Sequence, residues 1–424
     1  MLTVKFIKEN KDLVIKKLAV KNFNDFNIIE SILKLNDERK KNQADQDNAQ
    51  GKLNGISKEI GNLYKSGKTK EAEEAKQQTS DLKEAIKFLS QKATEIEQEL
   101  ESLLVQIPNI PHESVPEGSA EADNKLIRDG GKTPKLPEKA LPHWELAKKY
   151  NLIDFELGNK ITGAGFPVYI GKGAKLQRAL ISYFLDKAME AGYIEVIPPL
   201  VVNEDSGFGT GQLPDKEGQM YHIQEDNFYL IPTAEVPVTN LYRDVILNAS
   251  EFPIKNVAYT PCFRREAGSY GKDVRGLNRV HQFDKVEIVQ IQHPDKSYDT
   301  LDEMVNHVES LVKSLNIQYR IVQLCGGDIS FASALTYDFE VYAAAQDKWL
   351  EVSSVSNFEN FQSNRLKLRF KEEGVKGTVL AHTLNGSALA LPRIVAAILE
   401  NNQTPEGIKI PEVLFPYTGF EIIK

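Results

Sequence analysis

The sequence predicts an α+β fold: an antiparallel α-helical coiled-coil arm, followed by a body built on a mainly antiparallel sheet. Three observations carry this expectation. Two heptad seams lie near the N-terminus, and a Pro/Gly-rich charged stretch follows them. Beyond it, runs with period-two alternation are broken by helical runs without regular strand–helix alternation. At 424 residues the chain has room for two or three domains.

The arm comes first. Ala75, Thr79, Leu82, Ile86, Leu89, Ala93, Ile96, Leu100 and Leu103 recur in alternating steps of four and three. The preceding stretch keeps a matching phase through Ile32, Leu35, Arg39, Asn42, Gln46, Ala49, Leu53, Ile56, Ile60 and Leu63. The short glycine-containing turn YKSGKTK (64–70) lies between them, so the two helices should fold back on each other over about 29–104. Lys58, Lys65, Lys68 and Lys70 make the tip basic, while the root from Glu95 to Glu101 is acidic. That polarity suits a polyanion held at the tip, and a solvated or dimerising coil explains it as well.

Residues 105–140 are rich in Pro, Gly and charge and read as a linker. The domain division is therefore 1–110 with the arm, a linker over 111–140, and a body over 141–424. In the body, LQRALISYFLDKAMEAG is a helix leading into the β-rich YIEVIPPLVV, and further helices fall near 296–315 and 388–402. GAGF (163–166) and CGGD (325–328) fit no phosphate-loop pattern and are turns.

Composition excludes several classes. A net charge of −8 leaves no global attraction for nucleic acid, so such a partner needs a local patch. Cys262 and Cys325 form no C-x-x-C pair, which argues against a disulfide framework or structural zinc. The charged N-terminus is no secretory signal, and no apolar run approaches the ~20 residues that span a bilayer. A cytoplasmic protein with no membrane partner is expected.

PCFRREAGSYGKDVRGLNRVHQF (261–283) concentrates charge where a core is expected. Read as two strands, it sets Arg264 and Glu266 on one face of the first. Arg279, His281, Phe283, Lys285 and Glu287 share a face of the second, opposite Val280, Val286 and Ile288. Guanidinium forks and an aromatic face suit a nucleotide, and a salt-bridged hairpin fits equally well.

Two more stretches join it. GYIEVIPPLV, the FRRE box with its loop and R-x-x-x-F-x-x-x-E (Arg279 to Glu287), and NGSALALPR resemble, in order, the three signature motifs of class II aminoacyl-tRNA synthetases. With LIPTAEVPVTNLY, GTGQLPDKEGQMYHI, HQFDKVEIVQ, HTLNGSALA and the arm, the whole chain resembles bacterial-type seryl-tRNA synthetases. The resemblance implies a class II catalytic domain that activates serine with ATP and loads it on the 3′-terminal adenosine of tRNA(Ser), with tRNA(Sec) a second candidate.

The implied residues follow motif by motif. Arg264 and Arg393 are catalytic, Arg264 bridging the serine carboxylate and α-phosphate and Arg393 meeting the far phosphate. ATP would further engage Arg265, Glu266, Val280, Phe283, Glu351, Val352, Ser353 and Ser354, with Glu351 and Ser354 also holding Mg2+. Serine would lie among Thr233, Ala234, Glu235, Arg264, Glu287, Asn385 and Ser387. Lys58, Lys65, Lys68 and Lys70 would meet tRNA, and the segment around Pro199 would form a homodimer interface. Arg265, Ala388 and Pro392 depart from the commoner pattern. A relative that loads a carrier protein, and a catalytically dead adaptor, remain as alternatives.

Overall fold

The computed structural model describes residues 1–266, 275–374 and 376–424. The chain divides into two compact units: Leu2–Ala19 with Phe23–Pro108, and Asn109–Lys424 with Met1 and Val20–Asn22. The glycine-bearing loop of the FRRE segment, 267–274, lies outside the described residues.

In the first unit, helices Asn27–Lys65 and Thr69–Leu104 run 39 and 36 residues, joined through a turn at Gly67 with φ +77°. At 1.5 Å per residue each is roughly 55 Å long. The predicted seam is the less exposed stripe of both helices, from Leu63 and Ala75 at the tip to Ile32 and Leu100 at the root, and the buried Ala72 extends it by one step. Arg39 is the exception: it is exposed and donates to Asn36 Oδ1 at 3.0 Å. Asn42 is buried and its Nδ2 donates to the Leu89 carbonyl at 2.9 Å, a polar contact that only one register satisfies. Two short helices, Val4–Glu9 and Lys11–Val20, precede the arm, and Lys8 pairs with Asp37 at 3.0 Å.

The second unit is built on an eight-stranded sheet. In chain order its strands are β1 Lys125–Gly130, β2 Ile194–Glu195, β3 Ile254–Phe263, β4 Gln282–Gln292, β5 Tyr319–Gln323, β6 Leu335–Ala343, β7 Lys348–Asn357 and β8 His382–Ala390. Their spatial order is β1-β5-β6-β7-β8-β4-β3-β2, antiparallel except for β2 on β3. Val286 and Ile288 of β4, Phe339 and Val341 of β6, Val355 of β7 and Leu384 of β8 bury one apolar face. They join Phe184 of helix Gly171–Glu190, Val308 of helix Ser297–Ser314 and Ile394 of helix Leu391–Asn401 in one core. The other face is partly polar. It is covered by helix Glu235–Asn240, with Ala234 and Val238 against Val289, and by Leu366, Leu368 and Phe370 against Ile291. No described helix is long and apolar enough to cross a membrane.

Several expectations are corrected by the fold. The 111–140 stretch is not a plain linker: Lys125–Gly130 is an edge strand on β5, and Asn109 onward belongs to the second unit. An edge strand exposed along nearly its whole length shows no alternation to reveal it. The FRRE hairpin is shorter than its alternation suggests. β3 stops at Phe263, Glu266 adopts φ +49°, and β4 starts only at Gln282, so Arg264, Glu266, Arg279 and His281 are placed by turns rather than by pleat. YIEVIPPLVV yields only Ile194–Glu195 and Val201–Asn203, because prolines cannot donate to a ladder. β8 runs through Asn385–Ser387 to Ala390 before its helix begins.

Candidate active site

The site gathers on the polar face of β7, β8 and β4. Register places Glu287 of β4 opposite Ser387 of β8, with Asn385 opposite Val289. Ser387 Oγ donates to Glu287 Oε2 at 3.3 Å, and Lys285 Nζ pairs with the same oxygen. Lys285 also donates to Thr233 Oγ1 at 2.8 Å, and that hydroxyl accepts from the Glu235 amide at 3.2 Å. Lys285 and Glu287 are only 5% and 2% exposed, so both charges depend on each other and on these hydroxyls.

Glu235 starts the helix Glu235–Asn240 and is itself buried. Burial first, and the neighbouring Glu287 carboxylate second, push its carboxyl up to about 7; Gln362, Lys285 and Asn385 act the other way. Asn385 approaches Glu235 closely enough to favour its charged form, yet its buried Nδ2 makes no hydrogen bond of full geometry among the described residues. The cluster thus sets two buried carboxylates against one lysine ammonium, which leaves room for a second cation.

Arg264 leaves β3 with its guanidinium over the Phe283 ring, 5.3 Å from the centroid, and its Nε donates to Pro232 O at 3.4 Å. Glu266 is ion-paired with Arg279, which holds both beside the start of β4. Arg265 is tied down through its backbone, its amide donating to Gln219 O at 2.8 Å. Val280 is buried.

On the far side, Arg393 Nε donates to the Asn278 carbonyl at 2.9 Å and Nη1 to the Glu351 carbonyl at 2.8 Å; its Nη1 lies 3.5 Å from the Glu351 carboxylate. A register shift between Phe339 and Glu340 on β6 leaves Val352 as the extra residue of β7. Val352 is therefore a core side chain rather than a polar ligand, and Ser353 Oγ is committed to the Ser387 carbonyl at 2.5 Å. Ser354 faces Asp338, whose carboxyl is held well above its usual range by burial and by Glu351, and whose Oδ1 lacks a partner among the described residues. Glu351, Ser354 and Asp338 bring hard oxygens together here, although no group of three or more His, Cys, Asp or Glu gathers as a metal site among the described residues.

Asn278 is itself held. His143 Nε2 accepts from the Leu277 amide at 2.8 Å, so its Nδ1 carries the proton and donates to Glu400 Oε1 at 2.8 Å. Asn278 Nδ2 donates to Gln346 Oε1 at 2.8 Å. Gly276, at φ +67°, admits this contact because a Cβ there would lie 2.3 Å from His143 Nε2.

Sequence reasoning assigns no site role to Lys285, Gln362, Asp338 or His143. Lys285 is visible on the charged face of β4, but pattern alone does not separate a buried pair from a solvated lysine. The tip lysines Lys58, Lys65, Lys68 and Lys70 are all exposed, with Lys68 paired to Glu71 at 3.0 Å.

Two family models match the chain: the seryl-tRNA synthetase N-terminal domain over residues 1–111, and the class II core domain of the G, H, P, S and T synthetases over 220–402. A serine–tRNA ligase from Salinibacter ruber is 49% identical over 421 residues, covering 99% of this chain and 98% of the relative. The chain belongs to the seryl-tRNA synthetase family. Its reaction is the ligation of serine to tRNA. Among solved structures, the seryl-tRNA synthetase of Pyrococcus horikoshii complexed with ATP superposes with a TM-score of 0.92 at 33% identity, covering 100% of this chain and 99% of that one. The cytoplasmic serine–tRNA ligase of Naegleria fowleri in complex with AMP gives 0.87 at 28% identity, covering 100% and 99%. The class II α+β fold and the helical arm expected from sequence are thus the family's own.

Proposed function

We propose that this chain activates serine with ATP in the cluster around Glu235 and Glu287, then transfers it to the 3′ end of tRNA(Ser). One observation carries the assignment of the serine pocket: Lys285 is taken up by Glu287 and Thr233, so the second buried carboxylate, Glu235, has no ion-pair partner among the described residues. A substrate ammonium at Glu235 restores the balance. Lys285 and Ser387 both engage Glu287 Oε2, which leaves Oε1 to accept the substrate hydroxyl. Alanine would leave that buried carboxylate without a donor, a discrimination that can reach ~10⁴-fold. Asn385 Nδ2 is a further donor for the amino acid.

The carboxylate of serine attacks the α-phosphorus, and pyrophosphate leaves. Catalysis is positioning and charge neutralisation, with no protein nucleophile. Arg264 is seated to bridge carboxylate and α-phosphate, Phe283 and Glu266 to hold the adenine, and Arg393 to take the far phosphate. Glu351 and Ser354, beside Asp338, fit Mg2+, which when bound neutralises phosphate charge. The ATP and AMP complexes of the two structural relatives support this nucleotide role.

Pyrophosphate exchange measured with each amino acid tests the reading. Serine alone should support it; exchange with alanine or threonine but not serine overturns it. Loading assays with tRNA(Ser) and tRNA(Sec) transcripts define the acceptor range.

A homodimer is supported by the apolar run beside Pro199, where Ile194 and Ile197 are 68% and 88% exposed on an edge strand and the turn after it. Ile197→Asp should shift the mass in light scattering from two chains to one. A monomeric parent overturns the assignment.

A further inference from the structure

Gln362, on helix Phe361–Leu366, is 1% exposed and bonds to three separate elements. Its Nε2 donates to Glu235 Oε1 at 2.6 Å and to the Thr210 carbonyl at 3.1 Å, while its Oε1 accepts from Thr383 Oγ1 at 2.7 Å. A carbonyl and a carboxylate can only accept, so the amide nitrogen must face them. The amide is locked in one orientation.

The groups around Glu235 make that lock matter. Glu287 and Lys285 face it from β4, Asn385 from β8 and Gln362 from helix Phe361–Leu366. The Lys285 ammonium is engaged by Glu287 and Thr233. Gln362 makes the full hydrogen bond to the Glu235 side chain, at 2.6 Å, and Asn385 is a weaker second donor beside it.

We propose that Gln362 is a positioning residue of the amino-acid pocket, holding the Glu235 carboxylate anionic and aimed at the substrate's ammonium, with Thr383 fixing Gln362 in turn. This rests on the reading of Glu235 as the ammonium acceptor. A hydrogen bond to the charged form favours that form. Without it, burial and the Glu287 charge drive Glu235 toward its neutral acid, which attracts no cation.

The test uses the full chain in serine-dependent pyrophosphate exchange between pH 6.5 and 8.5, with KM for serine and for ATP measured separately. Gln362→Met keeps the volume and removes the donor. It should raise the serine KM by about tenfold or more at pH 7, the effect of removing one charge-assisted hydrogen bond. The ATP KM should stay within about twofold, since none of the bonds Gln362 makes reaches the nucleotide side. The acid limb of kcat/KM for serine should move up by about one pH unit, so the deficit narrows as pH rises. An unchanged serine KM, or a loss of kcat equal at every pH, overturns the proposal. Thr383→Val provides a second arm where Gln362→Met melts below assay temperature. It should raise the serine KM in the same pH-dependent way by a few-fold, and a parental KM overturns the proposal. Glu235→Gln separates the two layers. If it keeps the parental serine KM, the pocket reading and the proposal both fall. If it is defective while Gln362→Met is normal, only the proposal falls.

Discussion

Lys285 and Glu287 form a buried pair whose worth lies in being complete. Removing one partner strands the other charge, at a cost of about 3–5 kcal/mol. Lys285→Met should therefore lower unfolding stability by roughly that amount in urea titration. Adding Glu287→Gln should recover much of the stability and none of the serine activation. A single variant as stable as the parent refutes the pairing. Glu235 gives a pH-dependent expectation. Its folded carboxyl lies at about 7 against an ordinary 4.5, so the folded state holds a proton that the unfolded state releases in between. That contribution to stability is full below 4.5 and is lost as pH rises to about 7. Glu235→Gln has no such group, so its stability relative to the parent should grow between pH 5 and pH 8 in paired urea titrations. A variant whose stability falls relative to the parent over that range would reverse the sign and refute the burial of this carboxyl. The motifs bring Glu235 and Glu287 forward as candidates. The sequence hides Gln362, because a six-residue helix is too short to show a period and its partners lie far away in sequence.

Elements explain which parts of the fold are legible. The arm is, because thirty-odd residues of steady four–three spacing have no competing reading, and apart from Arg39 both helices keep that seam less exposed than their flanks. The ends of β3 and β4 are not, since alternation says nothing about where pairing stops, and Glu266 leaves the pleat at φ +49°. The arm's tip carries its own prediction. Lys58, Lys65, Lys68 and Lys70 are exposed on or beside the turn that joins the two helices. Changing Lys65, Lys68 and Lys70 to Glu should weaken tRNA binding while serine activation stays within about twofold of the parent. The salt slope of binding should fall by ~0.7–0.9 for each phosphate that no longer meets a lysine. Unaltered tRNA affinity refutes the assignment of the tip.

At the scale of the molecule, the described residues of the site all belong to the unit that starts at Asn109, and the arm lies in the other. A chain with 29–104 replaced by a short linker should exchange pyrophosphate with serine and lose most loading onto tRNA. Loss of exchange in a variant that melts like the parent would refute that division. The stretch 111–140, expected as a linker, lies inside the unit that starts at Asn109. A run of prolines and charges looks the same whether it wanders or, as Lys125–Gly130 does, lies along a sheet edge.

The order β7-β8-β4 in the sheet has a consequence for synthesis on the ribosome. β8, among the last strands translated, is the middle one of these three, so β7 and β4 have no direct ladder between them until it arrives. A nascent polypeptide halted before His382 already holds the arm, yet it lacks Asn385, Ser387 and Arg393 and the strand that would join the two halves of the pocket. On the proposed reading of the pocket, affinity for serine and nucleotide would be switched on by the tail end of translation, and a prematurely released fragment would compete for neither.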